Sequence, residues 1–174
     1  MDIDKPETTT SLSQGTLKSG RFSGREEFTQ LVRDSLATAA REGWPEIILS
    51  DATFEDWPLR ERLVAESLHA WAKPGRHMVI LAARYDEVVR HHPRFVQWRI
   101  TWGHLLDCRV GRGGAMADFP SAIWSRAWFL HRLDPLDCVG VCGNDRERQV
   151  SLRQTLDERI RESSPGFPST TVGL

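Results

Sequence analysis

The stretch IILSDATFEDWPLRERLVAESLHAWAKPGRHMVIL, Ile47 to Leu81, reads as strand, loop, helix, strand. Ile47, Ile48 and Leu49 form a short apolar run, ended by the polar turn Ser50-Asp51-Ala52-Thr53. Leu59, Leu63, Val64, Leu68 and Trp71 then fall at i, i+4, i+5, i+9 and i+12, one face of an amphipathic helix that Pro74-Gly75 stops. Met78 to Ala82 is a second apolar run. Two buried strands joined by such a crossover are parallel neighbours, because a parallel pair needs a connection of about a dozen residues or more. The expected fold is α/β: a single domain with layered α-β-α architecture on a mixed, partly parallel sheet.

On the amino-terminal side, residues 1–22 are rich in Thr, Ser, Gly and charge without apolar periodicity, and are expected to form a disordered tail. Ser23 and Glu26 have capping-box spacing, so a helix should start there. Its apolar positions Phe28, Leu31, Val32, Leu36 and Ala39 keep helical spacing, and Gly43 stands where a left-handed end residue is wanted.

On the carboxyl-terminal side, Asp86 to Arg90 suits a short helical turn, and Pro93 suits the first position of a further helix carrying Phe95, Trp98 and Trp102, edged by Arg94 and Arg99. Leu105 to Val110 reads as a third strand and Gly111 to Gly114 as a loop. Residues 122–133 fit either helix or strand, and the alternation favours strand. Asp137 to Cys142 is a further strand, and Asp145 to Glu162 a last helix with Val150, Leu152, Leu156 and Ile160 for a packed face. The domain should span 23–163, with 164–174 an extended tail containing Pro165, Gly166 and Pro168.

The 174 residues suffice for one domain with a substantial core. A formal net charge of −1 provides no general field for a polyanion, which argues against nucleic acid as a partner. Three cysteines with no apolar leader at the start suggest a reducing, cytoplasmic location, and no apolar run approaches the ~20 residues of a membrane span. If Cys138 to Cys142 is a strand, its ends lie ~13 Å apart, too far to share one zinc ion, so no metal and no cofactor is expected. His91-His92 falls at a helix break, where capping explains both residues. Seven tryptophans are many for this length. They suit core packing, or an aromatic face for self-association or for a protein partner.

The run from Phe54-Glu55-Asp56-Trp57-Pro58-Leu59 through Arg94-Phe95-Val96-Gln97-Trp98-Arg99 to Phe167-Pro168-Ser169-Thr170-Thr171 resembles an uncharacterised family of small proteobacterial proteins. That family is similar to one half of the phospholipase D fold, and the resemblance covers roughly Gly24 to Leu174. It implies a layered α/β unit but not the chemistry. The His-x-Lys-x4-Asp motif, which supplies the nucleophile and the phosphate clamp, is absent: His131-Arg132-Leu133-Asp134 lacks both the lysine and the spacing. Gly143-Asn144 is only loosely similar to the end of that motif. The resemblance thus implies a degenerate, non-catalytic binding or regulatory module.

Ligands of open α/β sheets bind beyond the carboxyl ends of strands. The candidates there are Asp51, Arg84, Tyr85, Arg109 and Asn144, a set suited to a small polar or anionic ligand. Turn and capping duties account for Asp51, Asp56, Asp86 and Asn144, and are the favoured reading because they explain every one of those residue types. The alternative function is an enzyme acting on a phosphate-bearing or nucleotide substrate at these strand ends.

Overall fold

The computed structural model describes residues 16–114 and 116–167. Its eight strands are β1 (Gly20–Ser23), β2 (Glu46–Asp51), β3 (His77–Ala82), β4 (Leu106–Val110), β5 (Ser121–Trp124), β6 (Phe129–Asp134), β7 (Val139–Gly143) and β8 (Ser164–Pro165). They form one sheet in the order β1-β7-β6-β5-β2-β3-β4-β8. The β2–β3 and β3–β4 pairs are parallel, as the crossover connections require, and the other pairs are antiparallel. The segment 122–133 is a hairpin, because β5 and β6 pair in register from Ser121↔Arg132 to Trp124↔Phe129.

Five helices cover the sheet. On one face lie α1 (Arg25–Glu42), α2 (Arg62–Trp71), α3 (Asp86–His91) and α4 (Pro93–Trp102), which share a core with Ile47, Leu49, Met78, Ile80, Ile123 and Leu130. The other face carries α5 (Arg146–Glu162), whose Leu152 and Leu156 pack on Ile48, Val79, Ala122, Trp124 and Phe129. Alternate residues of β2 therefore enter different cores, which is why its sequence is continuously apolar instead of alternating.

Helix boundaries follow local chemistry with small shifts. Gly43 is left-handed (φ 70°) and its amide donates to Ala39 O at 2.9 Å. At the other end of α1 the N-cap is Gly24, and Glu27, not Glu26, reaches back to the Ser23 amide (3.1 Å). In the crossover helix α2, Val64, Leu68 and Trp71 are buried as expected, but Leu63 is 69% exposed, since it falls outside the stripe of Val64, Ala65, Leu68 and Trp71. On α5, Val150 likewise faces out.

Both expected tails need correction at their inner ends. Gly20 to Phe22 pair with Cys142 to Gly140, and Phe22 is buried over Gly140. Beyond Ser163, β8 pairs with β4, and the Phe167 ring stacks on Tyr85 with centroids 4.5 Å apart. The rest of both tails, residues 1–15 and 168–174, lies outside the described residues.

The aromatic face is corrected too. Six of the seven tryptophans are buried, and Trp102, the remaining one, is half-buried. Arg99, expected on a basic edge, is buried, with its guanidinium over the Phe167 ring (4.1 Å) and Nε donating to Cys108 Sγ (3.2 Å). No helix of the described residues is long and apolar enough to cross a membrane.

A Cβ at Gly140 would lie 2.2 Å from His131 O and 2.6 Å from Phe22 Cζ. Gly140→Ala is expected to lower unfolding stability by about 2–3 kcal/mol through overpacking, read as a lower urea midpoint with unchanged slope.

Candidate functional site

Beyond the carboxyl ends of the parallel strands lies a cleft of about 890 Å³. Its walls come from the loop after β2, the end of α3, the loop before β5 and the β6–β7 turn. Because β6 lies two places from β2 and both pairings through β5 are antiparallel, β6 runs in the same direction as β2 and brings its own carboxyl end to this edge.

The floor is a buried ion network centred on Arg132. Arg132 pairs with Ser121 across β5–β6, and Ser50 with Ala122 across β2–β5, so the row holding Arg132 leads through Ser121 toward Asp51. Nε of Arg132 donates to Ser121 Oγ (2.9 Å) and Nη2 to Asp51 Oδ1 (2.9 Å). Nη1 and Nη2 reach Asp56 Oδ2 (2.5 Å) and Oδ1 (3.1 Å), a bidentate pair. The guanidinium lies over the Phe28 ring of α1 at 4.2 Å, with Cys138 Sγ 3.5 Å from Nη1. Burial opposes the charge, but the hydrogen bond with Asp56 and the fields of Asp51 and Asp56 outweigh it and raise the pKa of Arg132 above the ordinary arginine value.

The loop after β2 is held in an unusual conformation by the same network. Phe54 has a left-handed backbone (φ 57°), uncommon for a bulky residue. Its amide donates to Asp51 Oδ2 (2.7 Å), and its carbonyl accepts from Nε2 of His92 (2.7 Å). Its ring packs edge-on against Trp57, 4.8 Å between centroids. Side chains from two different elements thus fix both polar backbone atoms of Phe54, which is how such strain persists. His92 is buried, and its Nδ1 has no hydrogen-bond partner among the described residues. Burial pushes the His92 pKa down, because protonation would create a buried N–H with nothing to receive it.

Around this charged floor the rim is apolar and open, with Leu136 95% and Leu133 61% exposed and Met116 beside them. Arg25, Arg60 and Glu55 also reach the cleft and are exposed. Asp134 accepts the amides of Leu136 and Asp137, which shapes the hairpin turn.

The five residues expected at strand ends do not form one cluster. Asp51 is in the cleft floor, where it performs the turn duty expected of it as well as the pairing with Arg132. Arg84 is exposed. Tyr85 is buried, its hydroxyl shared between the carbonyls of Ile80 (2.8 Å) and Arg109 (2.9 Å), and burial pushes its pKa up. Arg109 is in register with Leu81, which pairs with Ser50, so it points to the sheet face opposite Asp51 and donates to Ser163 Oγ and O at 2.9 Å. Asn144 follows β7, which runs antiparallel to β6, and so lies at the opposite edge of the sheet, lining a smaller pocket with Ser19, Arg41 and Trp44.

Arg132 and Asp56 were not among the expected site residues. Arg132 occupies the phase of Leu130, with His131 on the other face, half-buried beside Arg159 of α5. An arginine within the apolar run Phe129 to Leu133 was the available signal, though its phase alone did not say which face it served.

No family model and no curated protein matches the chain. Among solved structures, it is similar to TrmBL2, an archaeal chromatin protein whose structure shows a novel mode of DNA binding. The TM-score is 0.63 at 12% identity, over 90% of this chain and 57% of that one. The likeness is one of fold, and the chain spans little more than half the length of that protein. It overturns the expectation, drawn from net charge, that nucleic acid is not a partner.

Two outcomes follow from this geometry. Arg132→Met leaves Asp51 buried without its counter-charge and is expected to cost about 3–5 kcal/mol in chemical denaturation. His92 and His131 both have pKa values lowered by burial, so the unfolded chain binds more protons below the ordinary histidine value. Stability should therefore be full above about pH 6.5 and fall as pH drops below it. In a urea series between pH 7.5 and 5.5, His92→Gln with His131→Gln should flatten that fall.

Proposed function

We propose that this chain is a non-catalytic binding module with regulatory function, whose ligand site is the cleft beyond β2. The ligand class is a small molecule with one anionic group and an apolar body. The observation that carries this reading is the division of labour in the cleft. All the charge in its floor is engaged internally, since Arg132 directs its donors to Asp51, Asp56, Ser121 and Cys138. The charge left for a ligand is on the rim, where the exposed Arg25, Arg60 and Glu55, two cations to one anion, have no side-chain hydrogen bond or ion pair among the described residues, next to exposed Leu133 and Met116. An excess of positive charge on the rim beside apolar side chains suits a ligand with one anionic group and an apolar body.

The phospholipase D-like resemblance enters this reading as one of scaffold alone, since the sequence does not contain the His-x-Lys-x4-Asp motif that carries the chemistry. An enzyme acting on phosphate-bearing substrates gains no support, because Tyr85 and Arg109 are engaged elsewhere and burial pushes the pKa of the Cys108 and Cys142 thiols up, away from the nucleophilic thiolate. Three free buried cysteines support a reducing, cytoplasmic setting. A second reading, compatible with the first, is that the module works within a DNA-associated protein, and the fold likeness to TrmBL2 favours it.

A thermal-shift screen of small carboxylates and phosphomonoesters tests the cleft. A binder at a hundredfold its Kd stabilises the fold by about 2.7 kcal/mol. The expected result is such a shift in the wild-type chain, lost in Arg25→Glu with Arg60→Glu while the unliganded melting temperature stays within a few degrees. A screen without binders, or binders that shift wild type and variant equally, overturns the reading.

A further inference from the structure

On the sheet face covered by α5, at the edge opposite the cleft, a groove of about 440 Å³ runs between the amino-terminal half of α5 and the β5–β6 turn. Three of its seven lining residues are arginines, Arg126, Arg146 and Arg153, and none is acidic. Arg153 is held: its guanidinium lies 4.4 Å over the Trp124 ring and pairs with Glu46 (3.1 Å) and Asp157 (2.8 Å). Arg126 and Arg146 are different. Both are exposed, and neither has a side-chain hydrogen bond or ion pair among the described residues. Asp145 and Glu147 are nearby and exposed but do not line the groove, and Asp145 pairs loosely with Arg148 at 3.7 Å.

The backbone beneath these arginines is rigidly built. Gln149 Nε2 donates to Ser125 O (2.5 Å), and Trp124 Nε1 donates to Gln149 O (2.9 Å), so helix and turn are tied directly together. Arg146 is the first residue of α5, where the helix dipole adds partial positive charge.

We infer that this groove is a contact surface for the phosphate backbone of duplex DNA, with Arg126 and Arg146 as its phosphate contacts. Two free guanidinium groups on a tied scaffold complement a line of phosphates. The choice of duplex over single strand follows from the aromatic groups. Single-strand binding relies on exposed rings that stack on bases. Here Trp124 is 7% exposed and lies beneath Arg153, and Trp128 is buried. Backbone contact without stacking is what remains, and it is the sequence-independent mode of DNA binding. The inference rests on the DNA-associated reading above and adds to it the surface that makes the contact.

The test is fluorescence anisotropy of a labelled duplex of about 20 base pairs with the full chain, titrated across salt concentrations. Wild type should bind with an affinity that falls as salt rises. Arg126→Ala with Arg146→Ala should weaken binding on the order of tenfold at low salt and reduce the log–log salt slope by about 2, one unit for each lost phosphate contact. Both positions are exposed, so folding should be unaffected, and circular dichroism checks it. Wild-type binding that the double variant leaves unchanged overturns the groove but not the DNA-associated reading. No binding by wild type at any salt overturns both. Tighter binding to a single strand or to an acidic peptide than to the duplex overturns the choice of partner.

Discussion

One buried guanidinium sets the geometry of this molecule. Arg132 reaches from β6 over β5 to the end of β2 and down onto the loop beyond it, with α1 closing over its far side through Phe28. Removing such a charge from water is costly, and only full hydrogen bonding offsets it. Ser121, Asp51 and Asp56 provide that bonding, and each is fixed in turn by its own backbone position. The shape of the loop after β2 follows. With the Phe54 amide held by Asp51, the left-handed backbone at Phe54 turns the following chain, its carbonyl meeting His92 and Asp56 meeting Arg132. A network of this kind contributes less to stability than an apolar core of equal volume would, and its use is to impose one arrangement on segments that apolar packing alone would leave free.

The parallel half of the sheet was readable from residues 46–82 because a crossover helix between two apolar runs has few alternatives. The left-handed Gly43 and the helix start at Pro93 were equally legible, each being a local rule with a local cause. The direction of β7 was not. No local feature of Val139 to Gly143 states whether the strand runs with β2 or against it, and that direction is what moves Asn144 to the far edge. Arg132 escaped for a related reason. In a strand buried on both faces, apolar residues mark neither side as the interior, so the phase of a single arginine carries little information until its partners are known. Of the tryptophans, read either as core or as surface, Trp44, Trp57, Trp71, Trp98 and Trp128 went to the core on the α1–α4 side and Trp124 to the core under α5.

The β5–β6 hairpin relates the two surfaces described above. Its outer ends, Ser121 and Arg132, belong to the floor of the cleft. Its turn, with Arg126 and the neighbouring Trp124, belongs to the groove beside α5. The four residue pairs between them are in register, from Ser121↔Arg132 to Trp124↔Phe129. A single short, stiff element therefore carries a residue of each site, and α5 packs along the same element with Leu152 and Leu156.

The short strands at the two sides of the sheet have a consequence of their own. One flank ends in β1, four residues that include Gly20 and Arg21, and the other in β8, two residues of which Pro165 has no amide hydrogen to donate. Among the described residues, strand addition, by which a sheet recruits another chain through its backbone, would meet only the four residues of β1 on one side and, on the other, the part of β4 that β8 does not cover. In the proposed binding role, contact falls mainly to side chains on loops and helices, a kind of surface that tolerates point substitution without disturbing the sheet behind it.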